Sequence, residues 1–188
     1  MGLRRLFALL ESVKCRTNTE LRDRAMMEIL YSTGMRNSEL RNLKMEDVKF
    51  DTGEVVIRKG KGDKDRVVPI GTTAMVFLEE YIARSRPRLL KDNETDHIFF
   101  NFFGQRFSRR APADIIRKYV NKLGMNKIIR THTFRHTCAT HLLRNGADVR
   151  HIQQFLGHNS IDTTARYLHL DITDLKKVHS KTHPREKM

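Results

Sequence analysis

Residues 131–169 read THTFRHTCATHLLRNGADVRHIQQFLGHNSIDTTARYLH, and this stretch decides how the rest of the chain is read. Its punctuation is helical. Thr133 can cap a helix over 134–144 that Asn145-Gly146 stops, Asp148 can cap one over 149–156 that Gly157 stops, and Ser160 can cap a third through Tyr167. His132 and Arg135 lie three apart at a helix start, so both can project from one side. An arginine fork grips two phosphate oxygens at once, and a histidine can donate to a third or move a proton. His158 follows the Gly157 stop, and Tyr167 lies nine residues further on. Other readings stay open on this stretch alone. His132 and His136 have the spacing of a helical zinc site, but Thr133 stands where the general-base Glu of that motif belongs. A helix, a glycine turn and a capped second helix also outline a helix-turn-helix DNA reader, in which His158 and Tyr167 only pack or touch the backbone.

The bulk properties narrow the partner. Lys and Arg total 36 against 22 Asp and Glu, a formal charge of +14 over 188 residues. That balance favours a polyanion, and nucleic acid is the commonest one. Hydrophobic residues are 39% and charged residues 31%, as in a soluble globular chain with one core. The two cysteines, Cys15 and Cys138, form no disulfide or zinc pattern, which fits a reducing cytoplasm; Cys138 sits in an apolar helical run as a small core residue. No apolar run reaches a membrane span.

Upstream, Leu3, Leu6, Phe7, Leu10 and Val13 form a helical stripe. Thr19 can cap a helix over 20–32 with Leu21, Ala25, Met26, Ile29 and Leu30 inward, ending at Thr33-Gly34, and a short helix over 37–43 follows. The period then changes. Val48 and Phe50, Val55 and Ile57, and Val67 to Pro69 read as three antiparallel strands, with a turn at Asp51-Thr52-Gly53 and a basic tip, GKGDKDR, at 60–66. Helices are expected over 72–84 and from Pro112 to Leu123, with one apolar piece, Ile98-Phe99-Phe100, between them. A last short helix falls near 172–178. The tail histidines His179 and His183 read as exposed. The fold class is mainly α with a small three-stranded antiparallel sheet.

Two further features bear on chemistry. In TGMRNSEL, Arg36 follows a glycine turn and Glu39 lies one helical turn on. Lys61 sits at a glycine-flanked hairpin tip, where the backbone allows close approach. Taken in order, TGMRNSEL, the GKG tip, H-T-F-R, L-G-H and a Tyr nine beyond that His resemble the catalytic domain of the tyrosine recombinases, the integrase family, and are most like its Xer-type members. The likeness runs from about Leu21 to Leu170. It implies the fold shared with type IB topoisomerases. Arg36 and Arg135 match the phosphate-binding arginines, Lys61 the hairpin lysine, His132 and His158 the active-site histidines, Tyr167 the nucleophile and Glu39 the supporting acid. It further implies double-stranded DNA and neighbouring protomers as partners, a tetramer in the synapse, and neither cofactor nor metal. Residues 1–170 then form the catalytic domain, the family's separate N-terminal DNA-binding domain is absent from this chain, and 171–188 are a C-terminal segment that can contact a protomer through Leu170, Ile172, Leu175 and Val178 or pack on its own domain.

The chemistry is consistent with those roles. No carboxylate cluster suited to a metal is visible, but guanidiniums and imidazoles can meet the negative charge that grows at phosphorus. Tyrosine, with a reference pKa of about 10, needs flanking cations to become a nucleophile. Lys61 is the candidate proton donor to the leaving 5′ oxygen. The resemblance implies a 3′-phosphotyrosine intermediate, resolved by strand exchange in a recombinase or by relaxation in a type IB topoisomerase. A non-catalytic helix-turn-helix regulator remains the third reading, and it leaves Arg36, Lys61 and Arg135 unexplained.

Overall fold

The computed structural model describes residues 1–58, 65–91, 94–157, 179–181 and 183–184. The architecture is the expected one, helices around a small antiparallel sheet. Helix α1 spans Leu3–Glu11 and buries Leu6, Leu9 and Leu10. Helix α2, Asn18–Thr33, is the centre of the domain. Every residue from Leu21 to Thr33 is buried, because α1 and later helices cover it on all sides. Its charged residues are therefore paired inside. Arg22 meets Asp23 at 2.6 Å, Tyr119 donates to Asp23 at 2.9 Å, and Arg24 meets Glu28 at 2.9 Å. Left single, each of these charges would carry a desolvation cost of several kcal/mol.

The start of α2 differs from the expected one. Thr17, not Thr19, accepts the Glu20 amide at 3.2 Å, and the Glu20 carboxylate accepts the Arg16 amide at 2.9 Å. Thr17 thus satisfies one orphan donor of the first turn, and Glu20 reaches back to the residue before the cap. Gly34 ends α2 in the left-handed region at φ 59°. Helix α3, Asn37–Asn42, follows at once.

Strands β1 (Val48–Lys49), β2 (Glu54–Ile57) and β3 (Arg66–Pro69) pair antiparallel in that order. The register sets Val48 opposite Val55, Val55 opposite Val68 and Ile57 opposite Arg66. Val55, Ile57 and Val68 are buried, so one sheet face joins the core. Helix α4, Thr72–Glu80, runs on through a π-helical turn, Tyr81–Ser85, into α5, Arg86–Leu90. The helical path is thus longer than the expected 72–84. Buried Tyr81 donates to the Ile98 carbonyl at 2.9 Å and anchors the Ile98-Phe99-Phe100 piece in the core.

Helices α6 (Ala111–Lys122), α7 (Thr131–Arg144) and α8 (Val149–Leu156) complete the domain. Pro112 lies in the first turn of α6, and Asp148 caps α8 by accepting the Arg150 amide at 2.7 Å, both as expected. Helix α7 begins earlier than expected. Thr133 lies inside it and reaches back to accept the Arg130 amide at 3.1 Å. The exposed placement of His179 and His183 is corrected by the structure: both are buried. The His179 ring stacks on Phe155 and His183, and the His183 ring lies 4.6 Å from that of Tyr31. Polarity suggested solvent, but flat imidazoles fill aromatic gaps well once their nitrogens find carbonyls. Here those carbonyls belong to Ser32 at 3.2 Å and Tyr31 at 3.4 Å.

Candidate active site

Three arginines from three elements converge on the end of α8. Helix α8 leaves its last carbonyls without helical partners, and Gly157 turns the chain away at φ 65°. The Phe155 carbonyl accepts Arg66 Nε at 3.2 Å. The Leu156 carbonyl accepts Arg135 Nη2 at 2.6 Å. The Gly157 carbonyl accepts Arg36 Nη2 at 2.8 Å. Cations at a helix C-terminus also complement its dipole, so the contacts and the field favour the same arrangement.

Glu39 sits among these guanidiniums. Its Oε1 accepts Arg36 Nη1 and Arg66 Nη1, each at 2.8 Å. Its Oε2 accepts Arg66 Nη2 at 2.8 Å and the Arg36 main-chain amide at 2.7 Å. The first turn of α3 brings Arg36 and Glu39 together, and the strand start at β3 adds Arg66. Burial alone would raise the Glu39 carboxyl, but Arg66 first and Arg36 second outweigh it and hold it at about 2. The acid is therefore ionised and fixed.

Arg135 is buried on α7, and its Nη1 donates to the Gly34 carbonyl at 2.7 Å. It thus clamps the end of α2 to the end of α8. Burial, then repulsion from Arg36 and Arg66, lowers its pKa to about 10, with Glu39 opposing. A guanidinium so destabilised gains when an anion arrives. Arg36 is the more open of the two, its side chain about a quarter exposed at 26%. Each arginine spends two side-chain N–H groups on the contacts named, out of five. Each therefore keeps N–H groups beyond those contacts.

Of the residues singled out by sequence, Arg36, Glu39 and Arg135 are brought together. His132 is exposed on the first turn of α7, three residues from Arg135. Lys61, His158 and Tyr167 lie outside the described residues, as do Leu170, Ile172, Leu175 and Val178. Sequence reading missed Arg66. Its signal was faint: an arginine at the entry to a strand beside a basic hairpin tip looks like a solvated cation. Among the described residues no cluster of three His, Cys, Asp or Glu could hold a metal ion, and no helix is long and apolar enough to cross a membrane. Cys138 is buried, and burial pushes its thiol up to about 12, which suits a packing role.

Helices around a three-stranded antiparallel sheet are the architecture of the catalytic domains of tyrosine recombinases and integrases. The chain belongs to the phage integrase family, whose model matches residues 3–173. That match begins upstream of Leu21 and takes in α1. The chain is 44% identical over 180 residues to tyrosine recombinase XerD of Staphylococcus epidermidis, covering 96% of this chain and 61% of that protein. It is 42% identical over 185 residues to tyrosine recombinase XerD of Staphylococcus saprophyticus, covering 98% and 62%. The chain thus spans about three-fifths of the length of these relatives. Among solved structures, it is similar to XerA recombinase at a TM-score of 0.77 and 35% identity, covering 98% of this chain and 65% of that one. It is similar to XerH site-specific recombinase bound to its difH substrate at 0.72 and 28%, covering 96% and 53%.

Proposed function

We propose that residues 1–170 form the catalytic domain of a site-specific DNA recombinase that cuts and rejoins strands through a 3′-phosphotyrosine intermediate. The observation that carries this reading is the gathering of Arg36, Arg66 and Arg135 around one ionised carboxylate at the end of α8, in a chain of this family. Arg36 and Arg135 grip the non-bridging oxygens of the scissile phosphate. The Tyr167 oxygen attacks phosphorus, and the phosphorus to 5′-oxygen bond breaks. Lys61 gives its proton to the leaving 5′ oxygen. His132 and His158 complete the set, with His132 the candidate to take the tyrosine proton, and Glu39 holds Arg36. The covalent bond keeps the phosphodiester energy, so a DNA 5′-hydroxyl reverses the step without ATP.

Double-stranded DNA is the proposed substrate, and other protomers bound to it are the proposed partners. Support comes from the +14 charge and from XerH bound to difH. Residues 171–188 are proposed to contact a neighbouring protomer. The test is a nicked suicide DNA run on a denaturing gel. The unsubstituted chain is expected to give a covalent adduct, also in excess EDTA, because guanidiniums supply the charge stabilisation that divalent metals supply in many nucleases. Tyr167→Phe is expected to bind DNA nearly as well and give no adduct. An adduct persisting in that variant rules out Tyr167 as the nucleophile.

A further inference from the structure

We propose that Arg66 is a positioning residue for Arg36: it grips Glu39 at both oxygens, so that Arg36 meets the DNA phosphate in a fixed orientation and with its charge uncancelled. This rests on the phosphodiester reading above. Arg66 donates Nη1 to Oε1 and Nη2 to Oε2, each at 2.8 Å, the two-point fork that fixes a carboxylate in rotation as well as in place. The same oxygens take the Arg36 guanidinium and amide. A Glu39 that rotates would therefore release Arg36 at two points.

Charge leads to the same role. Glu39 paired with Arg36 alone would cancel the charge offered to a phosphate. With Arg66 in the group, the three guanidiniums exceed the single carboxylate by two charges. Arg66 also fastens β3 to α8 through the Phe155 carbonyl. Around Glu39 the charged groups are Arg36 at the start of α3, Arg66 from β3, Arg135 from α7 and, across a small cleft, Asp47 and Arg58, which pair with each other. Of the groups that lower the Glu39 carboxyl, Arg66 is the strongest. The side chain packs so tightly on Gly157 that a Cβ there would lie 3.0 Å from Arg66 Cδ. The competing account is an ion pair that only joins β3 to α3.

The test compares the unsubstituted chain with Arg66→Gln and Arg66→Lys. Single-turnover cleavage of a suicide DNA at saturation is followed across pH, beside DNA affinity and thermal unfolding. Arg66→Gln is expected to cleave roughly 10–100-fold more slowly, as for loss of a residue that orients a charge-stabilising donor, with affinity changed by less than about threefold. Its acid limb is expected to move to higher pH, because Glu39 then protonates more easily. Arg66→Lys keeps the charge without the fork and is expected to recover part of the rate. A folded Arg66→Gln that cleaves like the unsubstituted chain overturns the proposal. So does a rate loss that follows melting temperature alone, with the acid limb unmoved. If the unsubstituted chain forms no adduct, the phosphodiester reading falls and this inference with it. An adduct there together with an unimpaired Arg66→Gln overturns the inference alone.

Discussion

Glu39 is buried yet ionised, and the reason lies in the four hydrogen bonds it accepts, two at each oxygen. Its folded pKa of about 2 lies below its ordinary value of 4.5. A depressed carboxylate stabilises the fold above its unfolded pKa and loses that contribution as pH falls through the folded one. The contribution is therefore full above about pH 4.5 and fades towards pH 2, and it amounts to roughly 3 kcal/mol. Glu39→Gln removes it and leaves Arg36 and Arg66 without their shared anion. The variant is expected to be less stable at neutral pH by about 3–5 kcal/mol, the usual cost of breaking a buried pair. Its stability is also expected to fall less steeply between about pH 5 and pH 2. Urea denaturation across that range checks both, and an unchanged acid slope would remove Glu39 as the source.

At the scale of elements, the site is a meeting of helix ends. Helix α2 stops at Gly34 and α8 at Gly157, and Arg135 bridges the carbonyls of Gly34 and Leu156. Gly34 serves two purposes there. Its φ of 59° disfavours any side chain, and a Cβ would lie 2.6 Å from Leu156 Cδ2. Gly34→Ala must therefore strain the turn and displace the Leu156 side chain, at the end of α8 where three arginines converge. It is expected to cost roughly 1–3 kcal/mol, lowering Tm by about 2–4 °C for each kcal/mol. Differential scanning calorimetry reads that loss. A variant as stable as the unsubstituted chain would show that the two helix ends can part freely.

For the whole molecule, the excess of 36 basic over 22 acidic residues would matter most against the DNA proposed as substrate. Each phosphate neutralised releases counterions, so log affinity falls with log salt at about −0.9 per phosphate. Anisotropy over a salt series is expected to show a steep negative slope, shallower by about one in Arg36→Ala. A flat response would exclude a phosphate backbone as the main contact. The same scale separates what was legible in the sequence from what was not. Helical spacing, the capping residues Asp148 and Pro112, and the glycines at 34 and 157 set the helices, because each acts within one or two turns. Alternation at 48–57 and 67–69 set the strands for the same reason. The family was legible too, since its motifs keep their order along the chain. Three things needed the tertiary structure. The burial of α2 on every side came from helices distant in sequence. The seating of His179 and His183 came from carbonyls at residues 31 and 32. Arg66 gained its place only where β3 reaches Glu39, 27 residues earlier, and Phe155, 89 residues later. A lone strand arginine carries no local mark of such contacts, because its partners are supplied by folding and not by its neighbours along the chain.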